Sequence, residues 1–419
     1  MDLLTVDRFD WGYFFGALVL TAIPFFWLLK RPLREKIYIV PFILFFFVYS
    51  GIGAAWEGCD KEYLVYYFIW MVFFSFTLLF CLNGRKSYPV EGIVSTRSSF
   101  VIKYAPLFIT TYFLIKILAL AQSGKLMNLI SPPSVDMQAA LTGGGDEGVG
   151  IFYYLEKIVF IFYFTSLYKY RNKIGKLFFL SFFPFYIDFS SSGYLARSTV
   201  LAFLIIYILA IYYFNPNLRR KIRIVLLIGI PFLVIGLSLY TFIRLGMEAD
   251  RSIGDAVALL AYQETSYPTH FGVINKQPES FDLFQDYIQW LITLPLPGFL
   301  KDSTKDYFFN AIFTERLYGI IRGTQGFYVL LPGVVNEGLF IFGKWLFPLH
   351  AVILGLFVGT TYRIVKYKEE FFLFLYVSVF LASLIARAGT VSTYPVYLKD
   401  LLMFELAVIF VSCLKKNYK

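Results

Sequence analysis

Apolar runs of membrane-spanning length recur down this chain, and on alternate sides they are closed by knots of lysine and arginine. A helix needs roughly 20 apolar residues to cross the hydrocarbon layer, and aromatic residues extend shorter runs into the interface. On that ruler eleven spans are expected, near 11–29, 37–55, 63–82, 104–121, 151–168, 177–189, 199–214, 224–243, 341–362, 371–386 and 401–414. With 58% hydrophobic and 21% aromatic residues over 419 positions, the chain carries more apolar surface than a water-facing globule can hide. The expected fold class is an all-α polytopic membrane protein. It reads as one transmembrane domain over 1–419 with a single large loop at 244–338 between the eighth and ninth spans.

The order of the spans fixes which loops share a side. One set of loops carries Lys30, Arg31, Arg34 and Lys36; Arg85, Lys86, Arg97 and Lys103; Lys169, Arg171, Lys173 and Lys176; Arg219, Arg220, Lys221 and Arg223; Arg363, Lys366 and Lys368; and Lys415, Lys416 and Lys419. These are twenty-two basic residues, against six on the opposite short segments: Arg8, Lys61, Lys125, Arg197, Arg387 and Lys399. Positive charge is retained on the cytoplasmic side, so the N-terminus and the long loop are expected outside and the C-terminus inside. The first apolar run lacks a basic n-region and a small-residue cleavage site, and is expected to stay as an anchor.

The formal charge of +10 does not point to nucleic acid, because the basic residues lie in short clusters between apolar runs. Cys59, Cys81 and Cys413 form no CxxC pair, and His270 and His350 are the only histidines, so neither a disulfide framework nor a metal site is expected. GGGDEGVG at 143–150 reads as a flexible turn; it lacks the Lys-Ser/Thr ending of a phosphate-cradling loop.

The long loop opens on RLGMEADR, closes on RGTQGFYVLLPGVVNEGLFIFG, and holds Arg244, Arg251, His270, Arg316, Arg322 and Glu337. Such a set suits the binding of a polyanion and the movement of a proton. Arginine is the better partner for a diphosphate because its planar fork makes bidentate charge-assisted bonds. Arg197, Arg244, Arg251, Arg322 and Arg387 share one side and are the candidate binders; Arg197 serves equally as an interfacial anchor. Glu337, at the entrance to the ninth span, and His270 are the candidate bases. Glu337 is also explained as a carboxylate favoured by a helix N-terminus, and His270 as a loop histidine. Asp188, Glu156, Lys157 and Lys116 sit in or at the ends of spans, where pairing within the bundle explains them as well as catalysis does. DAVALLAYQ and LFQDYIQWLITL have helical spacing, as membrane-surface helices or as core helices of the loop.

SSGYLARSTVLAFLIIYILAIYYF, one large external loop, and then NEGLFIFGKWLFPLHAVILGLFVG resemble the Wzy-type O-antigen polymerases, the oligosaccharide repeat unit polymerases. The resemblance covers most of the chain in layout, and in residues the two quoted stretches and the loop. It implies a helical fold of the GT-C-like kind shared by O-antigen polymerases and ligases. It also implies metal-independent, cofactor-free transfer of a growing glycan from undecaprenyl diphosphate onto a new lipid-linked repeat unit, inverting or retaining, at the outer face of the bacterial inner membrane. The implied partners are undecaprenyl-diphosphate-linked oligosaccharides, membrane lipid and a Wzz-type chain-length regulator. Some members carry an Arg, ten residues and then a Gly in external loops. Arg322 and Gly333 share that spacing, which a chain with this much arginine and glycine also meets by chance.

Two other readings stand beside it. An O-antigen ligase, moving finished glycan to lipid A core, needs the same arginines and loop. A lipid-linked oligosaccharide flippase or other transporter is expected to show repeated halves and charges at the bilayer midplane, whereas the polar residues here gather outside. The topology is directly testable: reporter fusions after Lys176, Arg223 and Lys368 are expected to report cytoplasm, and a periplasmic signal at any two of them overturns the assignment.

Overall fold

The computed structural model of the chain describes residues 8–83, 101–131, 151–192, 197–244, 253–276, 281–294, 309–322, 329–365, 371–391 and 393–394. Among these residues the structure is helical throughout, broken by turns and one isolated bridge between Phe9 and Trp56. Six helices are long and apolar enough to cross a bilayer, and a seventh counts if the bent pair Leu201–Phe214 and Pro216–Gly229, angled at 112°, is one span. The expected span near 401–414 lies outside the described residues.

The chain divides into two compact units. The first comprises Met1–Lys86, Ala258–Ile364 and Leu381–Lys399, and the second Ser87–Val257, Val365–Phe380 and Asp400–Lys419.

In the first unit α1 (Trp11–Ala22) starts at Asp10, whose Oδ1 accepts from the backbone N–H of Gly12 at 2.7 Å and of Tyr13 at 3.3 Å. That satisfies two of the orphan donors of a helix start. Past Ala22 it tightens into a 3₁₀ segment, Ile23–Lys30, with Pro24 near its start. Helix α2 (Leu33–Phe46) runs through a π turn and a 3₁₀ turn to Ala55, and α3 (Tyr63–Asn83) follows. Polar side chains tie α1 to α3: Thr21 Oγ1 to Tyr67 Oη at 2.6 Å, and Trp27 Nε1–H to Ser75 Oγ at 2.8 Å.

The loop segment is docked on the end of α2. A Cβ on Gly53 would collide with the carbonyl of Thr265 and the ring of Pro268, so only glycine lets these backbones approach. Trp56 Nε1–H then donates to Thr265 Oγ1 at 2.7 Å. The loop holds α9 (Ile253–Thr265), a 3₁₀ turn at Tyr267–His270, α10 (Phe281–Thr293) and α11 (Phe309–Tyr318). Both helical readings of the loop are present. Leu283, Tyr287 and Trp290 of α10 are buried and pack on Phe309, Phe342 and Tyr394, which makes α10 a core helix on that face.

The apolar stretch α12 (Val334–Val365) is not one straight rod. Glu337 and His350 stand 13 residues apart, which in a straight helix is about 20 Å, yet Glu337 Oε2 and His350 Nε2 are 3.1 Å apart. The reversal is at Gly343, with φ 68° and ψ 175°, a region that only glycine occupies without strain. The first arm, 334–342, rises roughly 13 Å and is too short to cross. The second, 344–365, reaches roughly 33 Å and coincides with the expected span at 341–362. It lies close on α3: a Cβ on Gly355 would be 2.7 Å from Thr77 Cβ, and one on Gly359 2.5 Å from Cys81 Cβ. Small residues four apart let two apolar helices approach where the hydrophobic effect alone gives no attraction.

The second unit contains α4 (Ala105–Gln122), α5 (Ile151–Ser166), α6 (Ile174–Ser192), α7 (Arg197–Phe214), α8 (Arg219–Arg244) and α13 (Phe371–Tyr376). Aromatic rings fill its interior, with Phe164 against Phe160, Phe203 and Tyr376. Helices α5 and α6 cover the expected spans at 151–168 and 177–189. A π turn at Val377–Leu381 follows α13, and α14 (Ala382–Ala388) belongs to the first unit.

Replacing Gly343 by alanine forces a side chain into the left-handed region and is expected to cost about 1–3 kcal/mol. Gly236 lies within α8 with nothing within 4 Å of its Cβ position, so Gly236→Ala is expected to leave stability unchanged or raise it by up to about 1 kcal/mol. Thermal unfolding of the two variants in detergent checks the contrast.

Candidate active site

Glu337 organises the polar interior of the first unit. It is 1% exposed, and its Oε2 accepts from Thr390 N at 2.6 Å, Thr390 Oγ1 at 2.9 Å and His350 Nε2 at 3.1 Å, while Oε1 accepts from Val391 N at 3.0 Å. Thr390 and Val391 open a new helical turn after Gly389, whose φ of 83° and ψ of −178° break the helix behind it. Their N–H groups have no carbonyl one turn back, and the carboxylate supplies the missing acceptor. A Cβ on Gly389 would lie 2.5 Å from Glu337 Cδ, so glycine is required for the approach as well as for the turn.

The directions of these bonds follow from chemistry. Trp70 Nε1 can only donate, so His350 Nδ1, 3.3 Å away, accepts. The imidazole proton is then on Nε2 and points at Glu337, which leaves a neutral histidine beside an ionised carboxylate. Thr390 gives its hydroxyl proton to Glu337 and accepts from Tyr287 Oη at 3.0 Å. Burial, with the Glu337 carboxylate nearby, pushes the Tyr287 phenol well above its ordinary range, so it stays a donor. Although His350, Glu337 and Thr390 meet, the acid and the hydroxyl share one ring nitrogen. A nucleophile triad needs them on opposite nitrogens.

This network sets the position of Arg387, two residues before Gly389. From the other side Asn336 Nδ2 donates to the backbone carbonyl of Tyr267 at 2.8 Å, and the Tyr267 hydroxyl accepts from Arg387 Nε at 2.8 Å. Gly333, at φ 73°, lets the chain pass Tyr267; a Cβ there would be 3.1 Å from Tyr267 Cβ. The Asn336–Glu337 pair therefore fixes both the backbone and the side chain of Arg387. Glu264 Oε2 is 3.9 Å from Arg387 Nε, at the limit of an ion pair. The Arg387 side chain is 32% exposed, and its two Nη groups make no hydrogen bond among the described residues.

Three residues after Tyr267, in the same 3₁₀ turn, His270 shares Nδ1 with the Tyr318 hydroxyl and packs edge-on against Phe313. Burial lowers its pKa to about 4, so the ring is neutral at pH 7. Tyr318 ends α11, whose Glu315 takes Arg322 in a two-point fork, Nε to Oε1 and Nη2 to Oε2, both at 2.9 Å. Those bonds hold the Glu315 carboxyl down at about 2. Asn310 Nδ2, also on α11, donates to Ala388 O at 3.2 Å and ties this helix to the Arg387 segment.

Four of the expected site residues thus gather in one unit: Arg387, Glu337, His270 and Arg322. Arg197 begins α7 and Arg244 ends α8, both in the second unit. Arg251 lies outside the described residues.

Comparison with protein-family models, curated proteins and solved structures gives no match.

Sequence reasoning passed over His350, Tyr267, Glu264, Asn336 and Tyr318. His350 carried a signal, as a histidine in the middle of an expected span. Tyr267 and Tyr318 carried none, because tyrosine is abundant in this chain, with 32 copies.

Glu337→Gln keeps the shape but turns an NH₂ group toward one of the backbone donors, most simply Val391 N. A buried donor facing a donor costs about 1–3 kcal/mol. The expected result is a lower unfolding midpoint for purified Glu337→Gln, with Gly389→Ala at least as damaging.

Proposed function

We propose that this chain is a membrane glycosyltransferase that polymerises lipid-linked oligosaccharide repeat units, transferring a growing glycan from undecaprenyl diphosphate to the next repeat at the outer face of a bacterial inner membrane. The observation that carries the reading is the Arg387 guanidinium, held by its Nε while its Nη edge stays part-exposed and without a hydrogen bond among the described residues. A fork oriented from behind and open in front is the donor set for a diphosphate oxygen pair. The surrounding architecture supports it, since apolar helices embed the chain and place a lipid carrier and the protein in the same layer.

In this reaction an acceptor hydroxyl oxygen bonds to the anomeric carbon, and the bond from that carbon to the diphosphate oxygen breaks. Arg387, with Arg322, neutralises the departing diphosphate, and Arg197, Arg244 and Arg251 are further candidates for the same task. The hydroxyl proton needs an acceptor. Of the two candidate bases, His270 is the partly exposed one, and with Nδ1–H turned to Tyr318 its Nε2 lone pair can take the proton. Glu337, with donors on both oxygens, acts on the reaction by holding Arg387 in place. The eleven-span topology, a GT-C-like fold and a Wzz-type regulator as partner belong to the same proposal.

The test is the lipopolysaccharide of a strain in which the gene is replaced by variants. Loss of a polymerase leaves single-repeat caps on the core, whereas loss of a ligase leaves none. Arg387→Lys keeps the charge and loses the fork, so it is expected to shorten the ladder to mostly single repeats, a fall of about tenfold or more in polymer. The amount of protein in the membrane should not change. A normal ladder with Arg387→Lys and with Arg387→Ala sinks the reading.

A further inference from the structure

The second unit contains a charge cluster that the site above does not use. Lys116 on α4 is 5% exposed and is bonded by two carboxylates, Glu156 Oε1 on α5 at 2.8 Å and Asp188 Oδ1 on α6. One carboxylate neutralises one ammonium, so the cluster carries a surplus negative charge. A bundle interior tolerates such a surplus only where it is matched by something or used. The two carboxylates are not sealed in: the Glu156 side chain is 29% exposed and that of Asp188 48%.

The register of the helices puts all three at one depth. Lys116 lies six residues from the end of α4 at Gln122, Glu156 five from the start of α5 at Ile151, and Asp188 four from the end of α6 at Ser192. At 1.5 Å per residue these are roughly 6–9 Å below the helix ends. The basic-residue pattern assigns those ends to the outside. Two tyrosines flank the cluster: the Tyr112 ring lies 5.5 Å from Lys116 Nζ and stacks on Tyr163 with centroids 4.2 Å apart. Beside it, Tyr186 donates to Leu129 O at 2.6 Å and Asn128 Nδ2 to Ser190 O at 2.9 Å, which closes the segment after α4 over the end of α6.

We infer that Lys116, Glu156 and Asp188 form a subsite for the hydroxyl groups of a sugar in the glycan, separate from the diphosphate fork. Part-exposed carboxylates accept from vicinal hydroxyls, and a buried ammonium between them fixes their orientation. The surplus negative charge repels a diphosphate or an acidic sugar and accepts a neutral or amino sugar, so the cluster selects the part of a lipid-linked glycan that carries no phosphate. That ligand class rests on the polymerase reading, but the measurement below needs no polymer to form.

Full-length protein in nanodiscs is titrated with an uncharged hexose oligomer and with a hexuronic acid oligomer of equal length, and binding is followed by ligand-observed NMR. The expected result is saturable binding of the neutral oligomer, weakened about tenfold by Asp188→Asn and by Glu156→Gln, and at least as much weaker for the acidic oligomer in wild type. Equal binding of the neutral oligomer by wild type and by both variants, or none by wild type, overturns the subsite. Because losing a carboxylate from Lys116 can loosen the bundle, the double variant Lys116→Met with Asp188→Asn provides a neutral repacked control. It should fold and fail to bind, and retained binding by that protein also overturns the inference. Arg387→Lys should bind the neutral oligomer as wild type does, which separates failure of this subsite from failure of the polymerase reading.

Discussion

A single buried carboxylate holds the first unit together. Glu337 would be expensive at 1% exposure if left alone, and it is tolerated because four donors converge on it. Each donor comes from a place where the chain would otherwise fail. Thr390 and Val391 are the orphaned start of a helical turn, and His350 lies on the far arm of a helix that has doubled back. The stabilisation runs both ways: the breaks at Gly343 and Gly389 give the carboxylate its donors, and the carboxylate satisfies the backbone that the breaks expose. An apolar residue at 337 would leave two backbone N–H groups in a dry interior, where each costs about as much as a lost hydrogen bond.

The consequence for function is that rigidity and openness are separated along a few residues. Asn336 and Glu337 lie on a short arm that is buried all round, and they fix Tyr267, Thr390 and Val391. Arg387 lies between those fixed points and emerges part-exposed. An arginine on a loop would lose considerable side-chain entropy on gripping an anion. Held at Nε and along its backbone, Arg387 has already lost much of it. Arg322 is pre-oriented differently, by the two-point fork with Glu315 on its own segment, so an anion there must compete with a carboxylate.

Helix packing around this centre depends on shape more than on apolar burial, as it must in lipid. Gly355 and Gly359 let the second arm of α12 lie against α3, and Gly53 does the same for the loop against the end of α2. Polar side chains add directional ties, such as Tyr38 Oη to Val358 O at 3.0 Å and Thr21 to Tyr67. These contacts join elements hundreds of residues apart in sequence, so the loop is held on the membrane helices from several directions.

Much of this was written in the sequence, because membrane helices are specified locally. The runs at 11–29, 37–55, 63–82 and 104–121 are apolar enough to be helical wherever they are placed, since a backbone in hydrocarbon must satisfy its own hydrogen bonds. Arg387, Glu337, His270 and Arg322 stood out for the same reason, as charges that an apolar chain must explain. The GLFVG spacing of Gly355 and Gly359 was equally legible. What sequence could not fix was where an apolar run turns. The stretch from Val334 to Arg363 reads as one long span, and only the tertiary structure folds it back at Gly343, because a left-handed glycine looks like any other until a partner 13 residues away holds the reversal. The partners of Glu337 were hidden for that reason too: a carboxylate declares that it needs donors, and the fold alone decides that a histidine and two backbone amides far along the chain will provide them.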